Sequence, residues 1–423
     1  MPLFSPFGKV TCPHCFAVFH LSQAPRRSTR RDAVREPCNL VGSHFGSPVP
    51  PALPKLDNSQ LGGGFWRRTR RRLYLPPEEQ DFRTVCPKCG IYLPDKIATG
   101  ELSSEVIAIV GARSSGKSNY FGVMLHDLRK RLGGQVGFEV TDAMTYTPNK
   151  GLISSSILYK ERYGQLYDAA DPRAVPQTLS ATTEFGKDSD PRIPLIYQIG
   201  FQKKPWQTLT RPLATRVPVY LLIFDAAGED MVDETILEQY YSFLERATGI
   251  VFLIDPFEYP GVRKELPPEI QPKLKPVGAE PGWIVDHVLN TIRKRRRLAA
   301  GRLLDIPASF VLTKSDLFAK IPGIVYANSA IGREGMHHGG YDVLGGEELS
   351  QQTQQYIEKW DSRELVDKAR ANFRTYSFFA VSALGGLPAA DLRLAHPPQP
   401  RRVADPLLWL FWKRGYIRGI QRV

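Results

Sequence analysis

Short β-rich runs alternate with helical stretches from Glu105 onwards, and this alternation predicts a mainly parallel β-sheet with helices on both faces. The runs do not alternate between apolar and polar positions, as expected of strands that are buried on both sides. The strand candidates span 105–111, 194–201, 217–225, 249–255, 309–314 and 377–383. The fold class predicted from this pattern is α/β.

Helices are predicted at 117–131, 230–246, 282–299, 349–373 and 405–414. Three connections look enlarged, and loops of such length in an α/β unit are usually functional or disordered. They span 133–192, 256–281 and 316–348. The many prolines of 256–281 predict a segment without regular structure. His337 and His338 are expected in a surface loop, and Asp405 at the start of the last helix, which should pack on the sheet.

Composition is that of a globular protein with room for a sizeable core, since 42% of the 423 residues are hydrophobic and 23% are charged. The net charge is +13, and the first hundred residues hold 15 Lys and Arg against 7 Asp and Glu. Arginine clusters at 26–35 and 67–72 would attract polyanions such as nucleic acid. A solvated basic insert that keeps the protein soluble explains them equally well.

Neither a membrane-length apolar segment nor a signal peptide is visible in the sequence. Four of the five cysteines stand in two C-x-x-C pairs, which in a protein that is not secreted indicates metal binding rather than disulfides. We therefore expect a cytoplasmic protein without a membrane span.

The run EVIAIVGARSSGKSNYFGVML carries the most informative chemistry. A strand candidate ends at Gly111, Gly116-Lys117-Ser118 follows, and a helix is predicted from there. Small residues let successive backbone N–H groups face phosphate oxygens, and the helix N-terminus adds the positive end of its dipole. Lys117 would supply a cation to the β- and γ-phosphates, and Ser118 a hydroxyl ligand to Mg²⁺. The context of strand and helix predicts a phosphate-binding loop rather than an accidental Gly-Ser turn.

The strand candidate YLLIFD ends at Asp225, and Gly228 follows three residues later. Asp225 could hold Mg²⁺ through a water, and the Gly228 N–H could contact the γ-phosphate. Taken alone, an Asp at a strand end is often only a helix cap.

The run SFVLTKSD places Thr313, Lys314 and Asp316 after another buried strand. A carboxylate there can accept two hydrogen bonds from the N1–H and N2–H₂ groups of guanine, a pair of donors that adenine lacks. The Lys314 stem could lie over the base. After the last strand, backbone N–H groups of Ser382 and Ala383 could reach the guanine O6.

In their order and strand context these motifs resemble those of the TRAFAC-class GTPases, over roughly 105–415. Gly111–Ser118 is similar to the first of five family motifs, Asp225–Gly228 to the third, Thr313–Asp316 to the fourth and Ser382–Leu384 to the fifth. The resemblance implies a P-loop GTPase domain that binds GTP or GDP with Mg²⁺. The nucleotide-binding residues that it implies are Gly111, Ser114, Ser115, Gly116, Lys117, Ser118, Asn119, Asp225, Gly228, Thr313, Lys314, Asp316, Ser382, Ala383 and Leu384.

Within that class, the enlarged loops, the leading cysteine pairs and the terminal VADPLLWLF resemble the bacterial double-GTPase-type proteins. Those proteins are mostly uncharacterised and often lie in gene neighbourhoods suggestive of conflict or defence systems. The resemblance therefore implies partner proteins that are encoded nearby.

The sequence departs from the class pattern at three points. Thr313 replaces the usual Asn, so bracing of the base loop should be looser. Glu229 stands where Ras-like members have a water-positioning Gln; its carboxylate could position water but repels the γ-phosphate, so hydrolysis without a partner should be slow. The switch Thr that would contact Mg²⁺ is one of Thr178, Thr182 and Thr183, of which we favour Thr178. The candidate catalytic residues are thus Lys117, Glu229 and Thr178.

Two cysteine knuckles predict one closed, structural Zn²⁺ site with four thiolate ligands. The predicted ligands are Cys12, Cys15, Cys86 and Cys89, with His14 and Cys38 as less favoured substitutes. The long gap between the knuckles is tolerable because the cost of closing a loop grows slowly with its length. We divide the chain into a split zinc-ribbon module at 1–100, with a basic Pro/Gly/Arg-rich insert at about 21–82, and a GTPase domain at 101–423.

Three hypotheses follow from the sequence. The first is a slow Mg²⁺-dependent GTPase that acts as a switch and exposes a surface for protein partners. The second is a GTP-dependent assembly module that scarcely hydrolyses its nucleotide. The third places the zinc ribbon and the arginine clusters on nucleic acid, with GTP regulating the contact.

Overall fold

A computed structural model of the chain describes residues 9–20, 23–24, 26–28, 82–94, 97, 104–147, 149–180, 182–183, 193–202, 216–268, 270–271, 280–299, 301–322, 324, 326–327, 329–361 and 363–421. These residues divide into two compact units. The first contains the described residues up to Ser104 together with Met144–Ile153, and the second contains the rest.

The strands are β1 (Lys9–Thr11), β2 (Val18–His20), β3 (Arg26–Ser28), β4 (Phe82–Thr84), β5 (Ser104–Gly111), β6 (Glu139–Asp142), β7 (Met144–Thr147), β8 (Gly151–Ser154), β9 (Leu195–Gln202), β10 (Arg216–Asp225), β11 (Gly249–Ile254), β12 (Ala308–Leu312), β13 (Tyr341–Asp342), β14 (Tyr376–Ala380) and β15 (Gly419–Ile420). The α-helices are α1 (Lys117–Asp127), α2 (Gly133–Val136), α3 (Ser155–Tyr163), α4 (Glu234–Tyr240), α5 (Phe243–Arg246), α6 (Pro260–Glu265), α7 (Pro281–Arg296), α8 (Val343–Asp361), α9 (Glu364–Asn372) and α10 (Asp405–Lys413).

A seven-stranded sheet with the order β14-β12-β11-β5-β10-β9-β6 forms the centre of the second unit. Strands β14, β12, β11 and β5 pair in parallel, whereas β9 is antiparallel to both β10 and β6. Every residue of β11 and β12 is buried, which explains why these segments lack apolar/polar alternation. The predicted mixed α/β fold with a mostly parallel sheet is confirmed.

In the sheet, β5 lies between β10 and β11. After β5 the chain first forms β6, β9 and β10 on one side of it, and then crosses to form β11, β12 and β14 on the other side. In open α/β sheets, ligands bind beyond the carboxyl ends of the strands at such a reversal of strand order. The loops that follow β5 and β10 start at this edge, and both carry candidate site residues.

The connection 133–192 is more ordered than its sequence indicated, because it contains β6, β7, β8 and α3. Strand β6 is polar and largely exposed at the sheet edge, so it gives little hydrophobic signal. Helix α3 buries Ser155, Leu158, Tyr159 and Tyr163, which are spaced as one helical face, but only one of them is aliphatic.

The expectation that 256–281 lacks regular structure is wrong for its first part. A 3₁₀ turn covers Pro256–Glu258 and α6 covers Pro260–Glu265. Each begins with its proline, and the first turn of a helix is where proline is tolerated because its missing N–H has no partner there anyway. The predicted helix at 349–373 is in fact two helices, which are separated at Arg363 with a φ of 75°.

The prediction that His337 lies in a surface loop is also wrong. His337 is buried, and its Nε2 lies 2.8 Å from Oδ1 of Asp405 at the start of α10. Arg402 Nη1 donates to Oδ2 of the same carboxylate at 2.7 Å. These two hydrogen-bonding partners explain how Asp405 is accommodated in the interior, where a carboxylate needs compensating hydrogen bonds.

Among the described residues, no helix combines the length and the apolar character that crossing a bilayer would require.

Candidate nucleotide site and cysteine cluster

The loop after β5 has the backbone geometry of an anion-binding nest. A Cβ on Gly111 would lie 2.4 Å from the Leu253 carbonyl oxygen, so only glycine fits where this strand ends. Ser114 and Gly116 have φ angles of 68° and 80°, and such left-handed residues turn successive N–H groups toward one concave side. Helix α1 begins at Lys117 without a side-chain cap. Its first N–H groups are therefore available to an anion.

Lys117 lies inside this loop. Its buried Nζ donates to the carbonyl oxygens of Gly111 and Ala112 at 2.8 and 2.7 Å. Burial lowers the pKa of Lys117 from its usual 10.5 to about 8, although nearby carboxylates oppose the shift. The hydroxyl of Ser115 is buried without a hydrogen-bond partner among the described residues. The loop thus holds a desolvated cation and an unpaired hydroxyl, both of which a phosphate group would satisfy.

Four oxygen-bearing side chains meet beside Lys117. Ser118 Oγ lies 2.6 Å from Thr178 Oγ1, and Thr178 Oγ1 donates to Asp225 Oδ2 at 3.2 Å. Tyr163 donates to the same carboxylate oxygen at 3.1 Å. Burial raises the pKa of Asp225, and its Oδ1 is buried with no partner in the described part of the chain. Hydroxyl and carboxylate oxygens are the ligands that Mg²⁺ prefers, so this set fits that ion.

Gly228 packs directly against the loop after β5. A Cβ at this position would lie 2.5 Å from the Arg113 backbone nitrogen and 2.6 Å from Lys117 Nζ, so a side chain is excluded. The next residue, Glu229, accepts hydrogen bonds from residues on either side of Thr178. Its Oε2 accepts from Gln177 Nε2 at 3.2 Å, and its Oε1 accepts from the Ser180 backbone N–H at 3.0 Å.

The segment 173–180, which we call the strap, carries Thr178. Asn119 Oδ1 accepts from the Val175 N–H at 2.8 Å, so Asn119 anchors the strap to the first turn of α1. Thr182 and Thr183 instead hydrogen bond to Ser180. Of the three candidates for the switch Thr, the structure therefore brings Thr178 to Ser118 and Asp225.

A second group of candidate residues follows β12 and β14. Asp316 Oδ1 accepts from Ser382 Oγ at 2.6 Å, and burial raises the pKa of Asp316. Lys314 has a φ of 56°, and its Nζ lies 2.5 Å from Asp255 Oδ2. Thr313 donates its hydroxyl to the Ile254 carbonyl at 3.2 Å and thus braces the neighbouring strand end.

Both the hydroxyl and the backbone N–H of Ser382 form hydrogen bonds within the protein. Its N–H donates to the Arg401 carbonyl at 3.1 Å, and its Oγ accepts from the Gly385 N–H at 3.1 Å. The Leu384 carbonyl accepts from the Gln399 N–H. The Ser382 side chain therefore holds Asp316, and the Ser382 N–H is taken by the Arg401 carbonyl, so the backbone N–H groups of Ala383 and Leu384 are the candidates for a base contact.

Sequence reasoning missed several residues that shape the site. They are Tyr163 on Asp225, Gln177 on Glu229, and Asp255 on Lys314. Gln177 adjoins the favoured Thr178, and Asp255 ends a predicted strand, so position alone could have drawn attention to both. Tyr163 lies in a helix that was not predicted and gave no such signal.

Nucleotide binding above pH 8 is expected to take up a proton at Lys117. The free protein carries a partly neutral lysine there, because its pKa is about 8. A bound triphosphate favours the charged form, so the bound state holds more protons and affinity falls as the pH rises through this range. Calorimetric titration at about pH 8.5 in two buffers of different ionisation enthalpy measures the uptake. Identical heats in the two buffers would contradict the expectation.

The cysteine cluster belongs to the first unit. The Sγ atoms of Cys12 and Cys89 are 3.7 Å apart, those of Cys15 and Cys86 are 3.6 Å apart, and all four lie within 4.8 Å of one another. Zn–S bonds of about 2.3 Å place the sulfurs of a tetrahedral site about 3.8 Å apart. The four thiols therefore fit one zinc ion.

The two knuckles have the same backbone arrangement. The N–H groups of Phe16 and Gly90 donate to the carbonyls of Cys12 and Cys86 at 3.0 and 2.9 Å. Both residues have a positive φ, of 58° and 68°, which glycine adopts freely and phenylalanine does not. His14 is not part of the cluster, and Cys38 lies outside the described residues.

Comparisons with known proteins give one curated relative and several solved structures. The relative is the "Putative ESX-1 scaffolding and assembly protein SaeC" of Mycolicibacterium smegmatis, which is 25% identical over 339 residues, or 77% of this chain and 78% of that protein. No protein-family model matches the chain.

Solved structures similar to the chain include GTPases. The Arl6 BBS3 small GTPase of Trypanosoma brucei aligns at 11% identity and a TM-score of 0.28, over 75% of this chain and all of that one. The signal recognition particle receptor SRb-GTP/SRX complex of Chaetomium thermophilum aligns at 12% and 0.29, over 68% and 94%. The GTP-bound Ski7 GTPase-like domain of S. cerevisiae aligns at 15% and 0.29, over 74% and 51%.

Proposed function

We propose that this chain is a guanine-nucleotide-binding protein of the TRAFAC class and a slow Mg²⁺-dependent GTPase that acts as a switch. One observation carries the proposal: the buried Lys117 lies inside a nest of backbone N–H groups, beside the joined side chains of Ser118, Thr178 and Asp225. A triphosphate with its divalent cation satisfies all of these groups at once.

The divalent cation would be held by Ser118 and Asp225, with Thr178 added when the strap is closed. Bound Mg²⁺ would neutralise the charge of the β- and γ-phosphates. Lys117 and the loop N–H groups would stabilise the charge that develops as water attacks the γ-phosphate. Gly228, which lies against the loop, would sense the γ-phosphate through its N–H.

Selection of guanine would rest on Asp316. Its Oδ1 already accepts from Ser382, and a carboxylate has further lone pairs for the N1–H and N2–H₂ donors of guanine. The raised pKa of Asp316 reflects a buried carboxyl, which gains from such donors. Lys314 would cover the base with its stem while Asp255 holds its ammonium group.

Turnover is expected to be slow and to require Mg²⁺. Purified protein should release phosphate from GTP only when Mg²⁺ is present, at a rate far below the one-per-second scale of typical enzymes. Single-turnover phosphate release with and without chelator measures this. Release that persists in excess chelator would remove the proposed mechanism, and binding of GTP without any release would favour the non-hydrolysing assembly module.

Protein partners are the proposed readout of the nucleotide state. The relative SaeC is named a scaffolding and assembly protein, which supports a role in assembling other proteins. The finer resemblance to double-GTPase-type proteins, and with it a place in a bacterial conflict or defence system, remains part of the same proposal. The arginine cluster at 67–72 lies outside the described residues, and the nucleic-acid alternative stays a prediction.

A further inference from the structure

Gln177 connects the phosphate-binding loop to the residue after Gly228. Its Oε1 accepts from Arg113 Nε at 2.8 Å, and its Nε2 donates to Glu229 Oε2 at 3.2 Å. The flanking charges fix the orientation of this amide, because a flipped amide would set N–H against N–H at Arg113 and oxygen against oxygen at Glu229. We call the contacts of Arg113, Gln177 and Glu229 the Gln177 bridge.

Glu229 faces the strap with both carboxylate oxygens. One accepts from Gln177 and the other from the Ser180 N–H at 3.0 Å, so the carboxylate holds the strap on both sides of Thr178. Ser180 is itself buried. Among the described residues the Glu229 side chain forms no hydrogen bond or ion pair besides these two, although its charge also acts on Lys117, where it opposes the lowering of the pKa by burial. Both of its hydrogen bonds go to the strap, so holding the strap is the role for which its position is suited.

Other hydrogen bonds hold the beginning and the middle of the strap. The Ala174 N–H donates to the Leu392 carbonyl at 2.8 Å, and the Val175 N–H donates to Asn119, which anchors the beginning of the strap. Thr178 reaches Ser118 and Asp225 only through its own hydroxyl. Among the described residues, the end of the strap is therefore held by Thr178 itself and by the hydrogen bonds that Gln177 and Ser180 donate to Glu229.

We propose that Glu229 is a positioning residue that keeps the strap closed through the Gln177 bridge, and that it does not accept a proton from the attacking water. The inference rests on the proposed function, because closure matters by holding Thr178 at the phosphate and Mg²⁺ site. Opening of the bridge frees Thr178 and lets the nucleotide leave.

Exchanging the two side chains separates positioning from proton transfer. Glu229→Gln turns a second amide N–H toward Gln177, and Gln177→Glu sets two carboxylates against each other, so each single variant opens the bridge. In the double variant, Glu at 177 accepts from Arg113 and from the Gln at 229, whose oxygen still accepts from Ser180. All hydrogen bonds of the bridge are restored in the double variant, but its carboxylate is now at position 177 and an amide is at position 229.

Hydrogen exchange of the 173–180 backbone amides, measured on the full-length protein without nucleotide, reports closure directly. Each single variant is expected to exchange at least about tenfold faster there than wild type, since the bonds lost are to charged groups. The double variant should return to within about twofold. Glu238→Gln, which loses a surface ion pair with Lys294 on α4 and α7, is the matched control and should leave the strap unchanged.

Nucleotide measurements complete the test. Release of a non-hydrolysable GTP analogue with Mg²⁺ should be roughly tenfold faster in the single variants and restored in the double variant. Single-turnover hydrolysis should be slower in the single variants, because Thr178 is no longer held at the site, and it should also be restored in the double variant. Wild-type exchange in every variant, or a double variant that is closed but inactive, would overturn the proposal; the second result would assign Glu229 to proton transfer. If wild type fails to bind GTP, the proposed function fails, and the exchange data alone decide whether the bridge holds the strap.

Discussion

Replacement of Lys117 by Ala is expected to lower the affinity for GTP by at least about 100-fold. The variant loses the cation that lies buried in the phosphate-binding loop, 2.8 and 2.7 Å from two loop carbonyls. Hydrogen bonds from a charged group are worth about 1.5–3 kcal/mol each, and more than one would form to the β- and γ-phosphates. Titration with a fluorescent GTP analogue in Mg²⁺ measures the loss.

The control for this experiment is Lys130→Ala, which removes an exposed lysine from the helical turn that follows α1. That variant should bind GTP as wild type does. Thermal unfolding without nucleotide should show Lys117→Ala to be no less stable than wild type, because the burial that lowers the Lys117 pKa to about 8 disfavours the native charge. Binding by Lys117→Ala within threefold of wild type would place the nucleotide elsewhere.

The second large effect concerns the cysteine cluster. Wild type should carry one zinc ion per chain, and Cys86→Ser should carry almost none, because the set then lacks one of its four thiolates. Structural zinc contributes about 10–16 kcal/mol of apparent binding energy to small domains, so the first unit should lose its fold with the metal. Metal analysis of the purified proteins and hydrogen exchange of 9–20 and 82–94 measure the two effects.

Cys38→Ser is the matched control, since Cys38 is the fifth cysteine and stands outside both pairs. This variant should keep its zinc. Loss of the metal in Cys38→Ser, or its retention in Cys86→Ser, would contradict the assignment of the ligands.

Local sequence spacing was enough to predict the parts of the site that lie next to a strand end. The loop after β5, Asp225 at the end of β10 and Asp316 beyond β12 each follow a buried apolar run, and parallel strands bring their carboxyl ends to one edge of a sheet. The two cysteine pairs could also be predicted from local spacing, because a C-x-x-C sequence sets two thiolates close together whatever lies between the pairs.

Contacts between distant segments could not be predicted in this way. Gln177 reaches Glu229 across 52 positions, and His337 reaches Asp405 across 68. The residues of each pair are polar, so no hydrophobic periodicity in the sequence indicates that they meet. Which residue each one contacts is decided only by the folding of the sheet. Helix α3 was missed for a related reason, because it buries two tyrosines and a serine where a predictable helix would show an aliphatic stripe.

The relative affinity of the wild-type protein for GTP, GDP and ATP in Mg²⁺ tests the central claim most directly. If the nest around Lys117 holds the phosphates and Asp316 recognises the base, GTP and GDP should bind at least about 100-fold more tightly than ATP, since adenine leaves the buried carboxylate unpaired. Equal affinity for ATP, or no binding of any nucleotide, would contradict the account.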